Sequence, residues 1–548
     1  MCHRSLYIHA HQSGVVLLFI CVAVLILTGC GAGSGTMLLT NGKPTLAAQQ
    51  NLTIPLIGMT DVPSFNPTDE QNASTKVLMN MLYSGLVRTD ENFQVIPDQA
   101  IWTISADQKQ YIFRLKSRLM FGDGSPVTAQ SYVDSWTYAA RPANQSPLVT
   151  SLMYAIAGAR DVHEGRSQTL VGARAIDAHT LQVTLSRPTP YFLAALTNSI
   201  FVPTNQKYRN SYSLKPEAID AAQKGLGTGP FVVKDVTGAV KMTLVPNPHY
   251  YGHKLTIQQV DAYFVNDPRV AYIANRAGRY DLDWDLAQQD QLPAVKLAGF
   301  MRTEQLQTDT LFFDTSKAPF TSLSVRQALA QSLDKQKFAH TVMQDSVAPA
   351  ETLFPLSMPG YQQQQPMFAT SKARQLLKTA YPDTSKFPTV TFTYPNSQVS
   401  LQMAQSLQRM WQKSLGIQVN LRPLEDEAYQ QALTDHDVQF GFVSWSAQVA
   451  DPYFFAEKFL ASSQQNVAQW HNADYDHLIA QAEMTTGKSR LSLYHKAEQK
   501  LLSNAVIIPL DHRQLAALIP NWVRGVFLNS DGLYFGDWSG VAILNHKE

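Results

Sequence analysis

The stretch from Tyr111 to Trp136, YIFRLKSRLMFGDGSPVTAQSYVDSW, decides how the first half of this chain folds. Tyr111, Phe113 and Leu115 alternate with polar neighbours, a period that predicts a half-buried β-strand. The Asp-Gly pair that begins at Asp123 supplies the positive-φ chemistry of a tight turn. The stretch therefore begins with a strand that ends in a turn.

A helix is predicted to follow this turn. Thr128 can serve as its N-cap, because its hydroxyl oxygen can accept a hydrogen bond from a backbone N–H of the first turn. Tyr132, Val133 and Trp136 then recur at helical spacing. We expect these apolar residues to pack inward, while the polar residues between them face water.

Strand, turn and helix together resemble the family 5 extracellular solute-binding proteins, the oligopeptide-binding components of ABC importers. That family carries a YxFxL strand, an F-x-DG-x-PVTA turn and an xVxxSW helix. Three further segments are similar to family motifs: IPDQAIW ending at Trp102, GTGPF starting at Gly227 and NPHYYG starting at Asn247. The resemblance implies an α/β, periplasmic-binding-protein-like, two-lobed fold (type II, cluster C) with an additional accessory domain.

The resemblance covers nearly all of the chain after residue 50 and predicts its domain boundaries. We expect a lipoprotein signal peptide at 1–29 and a flexible tether at 30–50. The remaining boundaries assign 51–87, 199–309 and 506–548 to lobe I, 88–198 to the accessory domain, and 310–505 to lobe II. At 548 residues the chain is too long for one core, which agrees with two or three domains.

The amino terminus resembles that of a bacterial lipoprotein. Arg4 precedes the apolar run from Val15 to Leu27, whose length suits a signal peptide and is short for a membrane span. The sequence LTGC that ends at Cys30 is similar to a lipobox, which implies lipidation of Cys30 and anchoring to the extracytoplasmic face of the cell membrane. An uncleaved anchor helix is the alternative. Either way, the rest of the chain is expected outside the cytoplasm.

The balance of charge excludes some partners. Lys and Arg number 44 and Asp and Glu number 43, so a net charge of +1 gives no field that would recruit nucleic acid. Cys30 would be the only cysteine left after cleavage, which excludes disulfides within the mature chain.

A βαβ unit is predicted in the second half. Thr389 to Tyr394 reads as a strand, Leu401 to Leu415 as a helix and Ile417 to Leu421 as another strand, so the two strands should be parallel. The carboxyl ends of parallel strands face ligand in open α/β sheets, which places Tyr394 and Asn396 at the ligand. The alternative is that the Pro-Asn pair is only a loop.

The segment from Phe320 to Lys335 resembles a helix of the family. Val325, Ala328, Leu329 and Leu333 are expected on its buried face. Arg326 and Lys335 are expected to be solvated or capping charges.

The main ligand contacts are predicted in Phe440 to Phe455, FGFVSWSAQVADPYFF. The family carries W-x-x-D-Y-x-x-P there, and its aspartate anchors the α-amino group of a peptide. Trp445 matches the tryptophan, but Gln448 stands at the aspartate position and the nearest carboxylate is Asp451. A neutral amide gives an ammonium group only about half the interaction of a carboxylate. Either Asp451 reaches the ligand, or the ligand is blocked, cyclic or not a peptide.

Structural alternatives exist for two of these residues. Trp445 could be an ordinary core tryptophan, and Asp451 could cap the turn that begins at Pro452. If Asp451 is the anchor, Asp451→Asn should weaken binding of free-amine peptides more than binding of N-acetylated ones. Phe442 stands where some family members carry an arginine, so recognition of the ligand's carboxylate is not implied.

No motif in the sequence predicts an enzyme, a metal site or a cofactor. His249 and His253 have metal-like spacing, but Pro248 and Gly252 argue against the helix that would align them. The resemblance implies a monomeric receptor that delivers an oligopeptide or related small solute to ABC permease subunits. Alternatives are a binder of a nickel chelate, glycoside or opine, and a sensor that signals to a membrane partner.

Overall fold

The structure, a computed structural model, describes residues 45–69, 72–92, 94–211 and 215–546. The predicted signal peptide, the lipobox and Cys30 lie outside the described residues. Within the described ranges, no helix has the length and apolar character needed to cross a membrane.

The strands follow one another along the chain. They are β1 (Asn51–Ile57), β2 (Val87–Thr89), β3 (Val95–Pro97), β4 (Ala100–Ile104), β5 (Gln110–Leu115), β6 (Ala173–Asp177), β7 (Thr180–Thr184), β8 (Phe231–Thr237), β9 (Lys241–Pro246), β10 (Gln259–Val265), β11 (Asp283–Trp284), β12 (Phe300–Phe313), β13 (Val347–Pro349), β14 (Val390–Pro395), β15 (Val419–Leu424), β16 (Phe440–Ser446), β17 (Ile507–Leu518), β18 (Val523–Arg524), β19 (Phe527–Asn529), β20 (Gly532–Tyr534) and β21 (Ala542–Ile543).

The α-helices are numbered in the same direction. They are α1 (Ala73–Leu82), α2 (Ala129–Ala139), α3 (Pro147–Ser151), α4 (Ala159–His163), α5 (Phe192–Ala195), α6 (Lys215–Gln223), α7 (Pro268–Arg276), α8 (Gln288–Ala294), α9 (Leu323–Gln331), α10 (Lys335–Thr341), α11 (Thr370–Ala380), α12 (Gln398–Leu415), α13 (Asp426–Thr434), α14 (Tyr453–Ala456), α15 (Ala473–Glu483) and α16 (Gly487–Ser503).

The strand, turn and helix predicted between residues 111 and 136 are confirmed. Gly124 has a φ of 80°, and its N–H donates to the carbonyl of Phe121 over 2.9 Å, which closes the turn after β5. Thr128 is the N-cap of α2. Trp136 is fully buried, and its indole N–H donates to the carbonyl of Phe201 over 2.7 Å. This polar anchor fixes α2 on a core of aromatic side chains.

Three sheets organise the described chain. The first sheet has the order β1-β10-β9-β8, with β1 and β10 parallel. The second is antiparallel, with the order β4-β5-β7-β6, and α2 packs on it. The third has the order β11-β17-β12-β16-β14-β15, and β13 pairs with β17.

The GTGPF turn, which starts at Gly227, leads into β8. A Cβ added at Gly229 would lie 2.4 Å from the carbonyl carbon of Leu82, and one added at Gly227 would lie 2.1 Å from the carbonyl oxygen of the same residue. The turn therefore packs backbone against backbone at the end of α1, an approach that only glycine permits.

The predicted βαβ unit is also confirmed. β14 and β15 are parallel, from the pair Val390 and Val419 to the pair Pro395 and Leu424, and α12 connects them. Trp411 of α12 is fully buried in the core on this face of the third sheet.

Two long antiparallel strands, β12 and β17, join parts of the chain that have different cores. Leu311 of β12 packs in a core on the third sheet, whereas Ala517 of β17 packs in the core of the first sheet. Their pairing shifts register between Glu304 and Thr308 and again after Asp309. Such irregularities bend and twist a strand pair.

The prediction that Arg326 and Lys335 are solvated or capping charges is wrong. Arg326 is only 5% exposed and donates to the carbonyls of Phe320 and Asn504, over 2.6 and 2.8 Å. Lys335 is 4% exposed and contacts the carboxylate of Glu351 over 2.7 Å. Both charges are buried because each finds oxygen partners inside the fold.

The helix predicted within Phe320 to Lys335 is α9, which ends at Gln331, and the next helix, α10, begins at Lys335. Asp334 ends the connection between them, since its side chain accepts the N–H of Lys337 as the N-cap of α10.

Candidate functional site

Three adjoining cavities, with volumes of about 870, 620 and 200 Å³, meet at Gln448. We call these three cavities together the cleft. Leu148, which lines the largest and smallest cavities, belongs to the core of the second sheet. Trp445, which lines the 620 Å³ cavity, belongs to a core on the third sheet. The cleft thus lies between separate cores, the usual location of a ligand site.

Trp445 is held firmly in the wall of the cleft. It lies on β16, and its indole N–H donates to the hydroxyl of Thr310 on β12 over 2.9 Å. Its ring packs edge-on against Phe459, with 5.3 Å between the ring centroids. Because its polar atom is satisfied inside the protein, Trp445 offers the cleft an apolar surface.

Gln448 is exposed and lines all three cavities. No side-chain hydrogen bond joins it to another residue of the described chain. Its amide can therefore donate to and accept from a ligand.

Asp451 does not face the cleft as a free carboxylate. It is 7% exposed, and both of its oxygens accept hydrogen bonds from Arg490 of α16, over 2.6 and 2.8 Å. One oxygen also accepts the N–H of Tyr453 over 3.0 Å, which caps the start of α14. The carboxylate is thus both a turn cap and one partner of a buried ion pair.

Arg490 has a second acidic neighbour, Glu483, at 3.2 Å. Burial alone would lower the pKa of Arg490, but hydrogen bonding and attraction to Asp451 outweigh it and raise that pKa. Burial raises the pKa of Glu483, against the opposing effects of Tyr494 and Arg490. The cluster fixes the segment that carries Gln448 against α15 and α16.

At the end of β14 lie Tyr394 and Asn396, which are predicted to contact the ligand. Tyr394 is buried and stacks on Phe392, with 6.0 Å between the ring centroids. Asn396 donates to the carboxylate of Glu425 over 2.6 Å. Pro395, between them, is the residue that lines the 620 Å³ cavity.

Of the predicted ligand residues, the structure therefore brings Trp445 and Gln448 together at the cleft. Asp451, Tyr394 and Asn396 are engaged in other contacts. Sequence reasoning missed Arg141, which lines the largest cavity just after α2. The sequence shows Arg141 shortly after the SW motif, but no spacing rule distinguishes a ligand-binding arginine there from an ordinary surface arginine.

A buried carboxyl pair lies directly behind the cleft wall. Ser444 lines the 620 Å³ cavity and donates to Asp309 over 2.5 Å, while Arg513 approaches the other oxygen of Asp309 within 2.6 Å. Asp511 lies opposite Asp309 in the pairing of β12 with β17. Burial, and then the charge of Asp309, raises the pKa of Asp511 well above its usual range.

No group of three or more metal-binding side chains occurs within the described ranges. His249 and His253, the pair with metal-like spacing, are not part of such a group.

The family model described as "Bacterial extracellular solute-binding proteins, family 5 Middle" matches residues 98–467. This chain belongs to that family. It is 33% identical, over 84% of its length and 88% of the relative's, to the probable deoxycholate-binding periplasmic protein YgiS of Escherichia coli K12. It is 26% identical, over 89% of its length and 92% of the relative's, to the oligopeptide-binding protein OppA of Bacillus subtilis 168.

Solved structures show the same family fold. The unliganded open form of the periplasmic murein tripeptide-binding protein MppA superposes with a TM-score of 0.81 at 26% identity, covering 92% of this chain and 99% of that one. The family and the two-lobed α/β fold with an additional domain, both predicted from sequence, are confirmed. The individual domain boundaries remain a prediction.

Proposed function

We propose that this chain is an extracytoplasmic receptor that binds an oligopeptide in the cleft and delivers it to the permease subunits of an ABC importer. The observation that carries the proposal is the meeting of three cavities at Gln448, between cores that belong to different parts of the fold. Asp531, in the predicted lobe I, and Trp445, in the predicted lobe II, both line the cleft, so a ligand there would touch both lobes at once. The names of several relatives, which include oligopeptide-binding proteins, support this solute class.

The proposed mechanism is closure of the lobes about β12 and β17. A ligand that bridges the lobes makes more contacts in the closed state, so its binding shifts the equilibrium toward that state. The register shifts near Asp309 lie where the two strands leave one core for the other. The likeness to an unliganded open form supports reading this conformation as the open one.

Within the cleft, we propose distinct roles for the predicted residues. Trp445 supplies an apolar wall and Gln448 a hydrogen-bonding group, and both would contact the solute. Asp451 acts through Arg490, by positioning the segment that carries Gln448. Tyr394 and Asn396 shape the end of β14 beside Pro395.

The amino-terminal residues are proposed to determine where the receptor is located. Lipidation of Cys30 would hold the receptor at the extracytoplasmic face of the membrane, next to its permease. The residues between Cys30 and Thr45 would act as a tether, which is shorter than the predicted 30–50 because Ala47 and Gln50 already hydrogen-bond to the backbone of Ile543 in β21. The receptor would release its solute unaltered and act as a monomer. Labelling of producing cells with a radioactive fatty acid tests the anchor: label is expected in the native chain and absent from Cys30→Ser.

Mass spectrometry of solutes that co-purify with the native protein tests the ligand class. The proposal predicts peptides, released on denaturation and rebound on refolding. A preparation that carries no peptide and binds none from a peptide mixture in isothermal titration calorimetry would overturn it.

A carboxylate amphiphile is a second candidate ligand. Phe442, Trp445 and Phe454 form an apolar part of the lining of the 620 Å³ cavity, which suits a rigid apolar body. The relative at 33% identity is named for probable binding of deoxycholate. Calorimetric titration with deoxycholate tests this candidate, and binding tighter than that of every peptide tried would favour it.

A further inference from the structure

The charged side chains that line the cleft determine which ligand charges it can accept. In the described chain these side chains are Asp69, Lys76, Arg141, Lys458 and Asp531. Lys76 pairs with Asp531 at 3.1 Å, and Lys458 pairs with Glu457 at the same distance. Asp69 and Arg141 are the two for which the described part of the structure gives no oppositely charged partner.

Asp69 is a weak anchor for a cation. Its carboxylate is exposed, and it accepts hydrogen bonds from Ser64, Asn66 and Thr68 of its own turn, over 2.7, 3.1 and 3.2 Å. Three of its roughly four lone-pair sites are thereby occupied. Because those sites are taken, an ammonium group would find few acceptor sites left on this carboxylate.

Two of the carboxylates behind the cleft are already paired with arginines, and the third, Asp511, is fully buried. Asp451 is held by Arg490, and Asp309 by Arg513. At the junction of the cavities stands the neutral amide of Gln448. An ammonium group that entered this junction would lose its hydration without gaining an unpaired carboxylate.

Arg141 presents the opposite charge. Its guanidinium lies over the ring of Tyr138, 5.2 Å from the centroid, and Arg209 lies 5.0 Å from the centroid of the same ring. A guanidinium that is stacked on a ring keeps its edge N–H groups free to bind a carboxylate in a bidentate manner. The wall of the largest cavity near Tyr138 therefore favours an anion.

We propose that the cleft selects a solute that carries a neutral amide at Gln448 and an anionic group at Arg141, with no ammonium group at the junction. An N-acylated peptide with a free carboxylate has this chemistry. The amide of Gln448 can donate to the acyl carbonyl and accept from the amide N–H. This inference rests on the proposed function and makes Gln448 a specificity-determining residue.

One tetrapeptide, Ala-Phe-Ala-Ala, tests the inference in four forms by isothermal titration calorimetry. The amino end is either free or acetylated, and the carboxyl end is either free or amidated. The acetylated free acid should bind tightest, about tenfold tighter than the doubly free form, because acetylation removes the ammonium group that would have to lose its hydration at Gln448. If the doubly free form bound as tightly as the acetylated acid, the inference would be overturned. The proposal that the protein is a peptide receptor would not be affected.

Three variants test which residues determine the order of affinities among the four peptide forms. Gln448→Glu should reverse the order, so that free-amine forms gain about tenfold. Gln412→Glu, which adds the same charge at an exposed position of α12 that lines none of the three cavities, should leave the order unchanged. Arg141→Gln should weaken the free acids and leave the amidated forms unaltered. An equal loss for acids and amides would exclude Arg141 as the anion site.

The same titration with deoxycholate distinguishes the source of the anionic group. If none of the four peptide forms binds but deoxycholate does, and Arg141→Gln weakens it, the peptide proposal fails and the anionic chemistry at Arg141 is supported. If neither a peptide nor deoxycholate binds, both proposals are overturned.

Discussion

The ion pair between Asp451 and Arg490 leads to a prediction about Asp451→Asn. Two hydrogen bonds join these side chains, and both residues are almost completely buried. Removal of one partner of a buried ion pair costs about 3–5 kcal/mol of stability. Glu483 still faces Arg490 at 3.2 Å in this variant, so we expect the lower end, about 3 kcal/mol.

The effect on binding should not depend on the ligand's amino group. In the structure, Asp451 positions the segment that carries Gln448 and presents no free oxygen to the cleft. Asp451→Asn should therefore weaken free-amine and N-acetylated peptides by the same factor. If Asp451 instead anchored the amine, which is one of the alternatives that the sequence leaves open, only the free-amine peptides would be weakened strongly.

Urea unfolding measures the stability change, and calorimetry with both peptide forms measures the binding change. Asp437→Asn is the matched control, because Asp437 forms an exposed ion pair with Arg422 over 2.8 Å. We expect this control to change neither quantity measurably. The reasoning would be refuted if Asp451→Asn kept the native stability and lost affinity only for the free-amine peptide.

Three further predictions concern stability. Burial, and secondarily the charge of Lys335, lowers the pKa of His512 to about 3. The folded protein therefore keeps this ring neutral, whereas the unfolded chain binds a proton there below about pH 6.5. Stability should fall by about 2 kcal/mol between pH 8 and pH 5 from this residue alone, and a His512→Gln variant should lose that share of the fall in urea titrations. The raised pKa of Asp511 means that ionisation of this carboxyl opposes folding. Asp511→Asn should therefore raise the melting temperature at pH 8, and this gain should shrink toward pH 4. A gain that is the same at both pH values would contradict the raised pKa. Gly229→Ala should cost roughly 1–3 kcal/mol in urea unfolding, because its Cβ would overlap the backbone of Leu82. Gly540→Ala is the control, because it has nothing within 4 Å of its Cβ and should meet no such overlap.

The local features of this fold were visible in the sequence because they depend on short-range chemistry. The period of the strand at Tyr111, the turn at Gly124 and the spacing of Trp136 each involve neighbours in the chain. The βαβ unit around α12 was predictable for the same reason. Family motifs then supplied the global arrangement that these local patterns alone leave open.

The errors and omissions involve partners that are distant along the chain. The helical pattern places Arg326 at the surface, because its carbonyl partner, Asn504, lies 178 residues away. The motif makes Asp451 a candidate amine anchor. Nothing in the sequence indicates that Arg490, 39 residues further along the chain, forms an ion pair with this carboxylate. A charge on a helix face can be solvated or paired inside the fold, and periodicity does not distinguish the two.

The central claim is that the two lobes close around a solute in the cleft. Small-angle X-ray scattering of the protein, freed of solute by unfolding and refolding, tests it with and without the solute that co-purifies. The account predicts a smaller radius of gyration when the solute is added, and no change with Trp445→Ala at the same solute concentration. Identical scattering of the native protein with and without its bound solute would contradict the account.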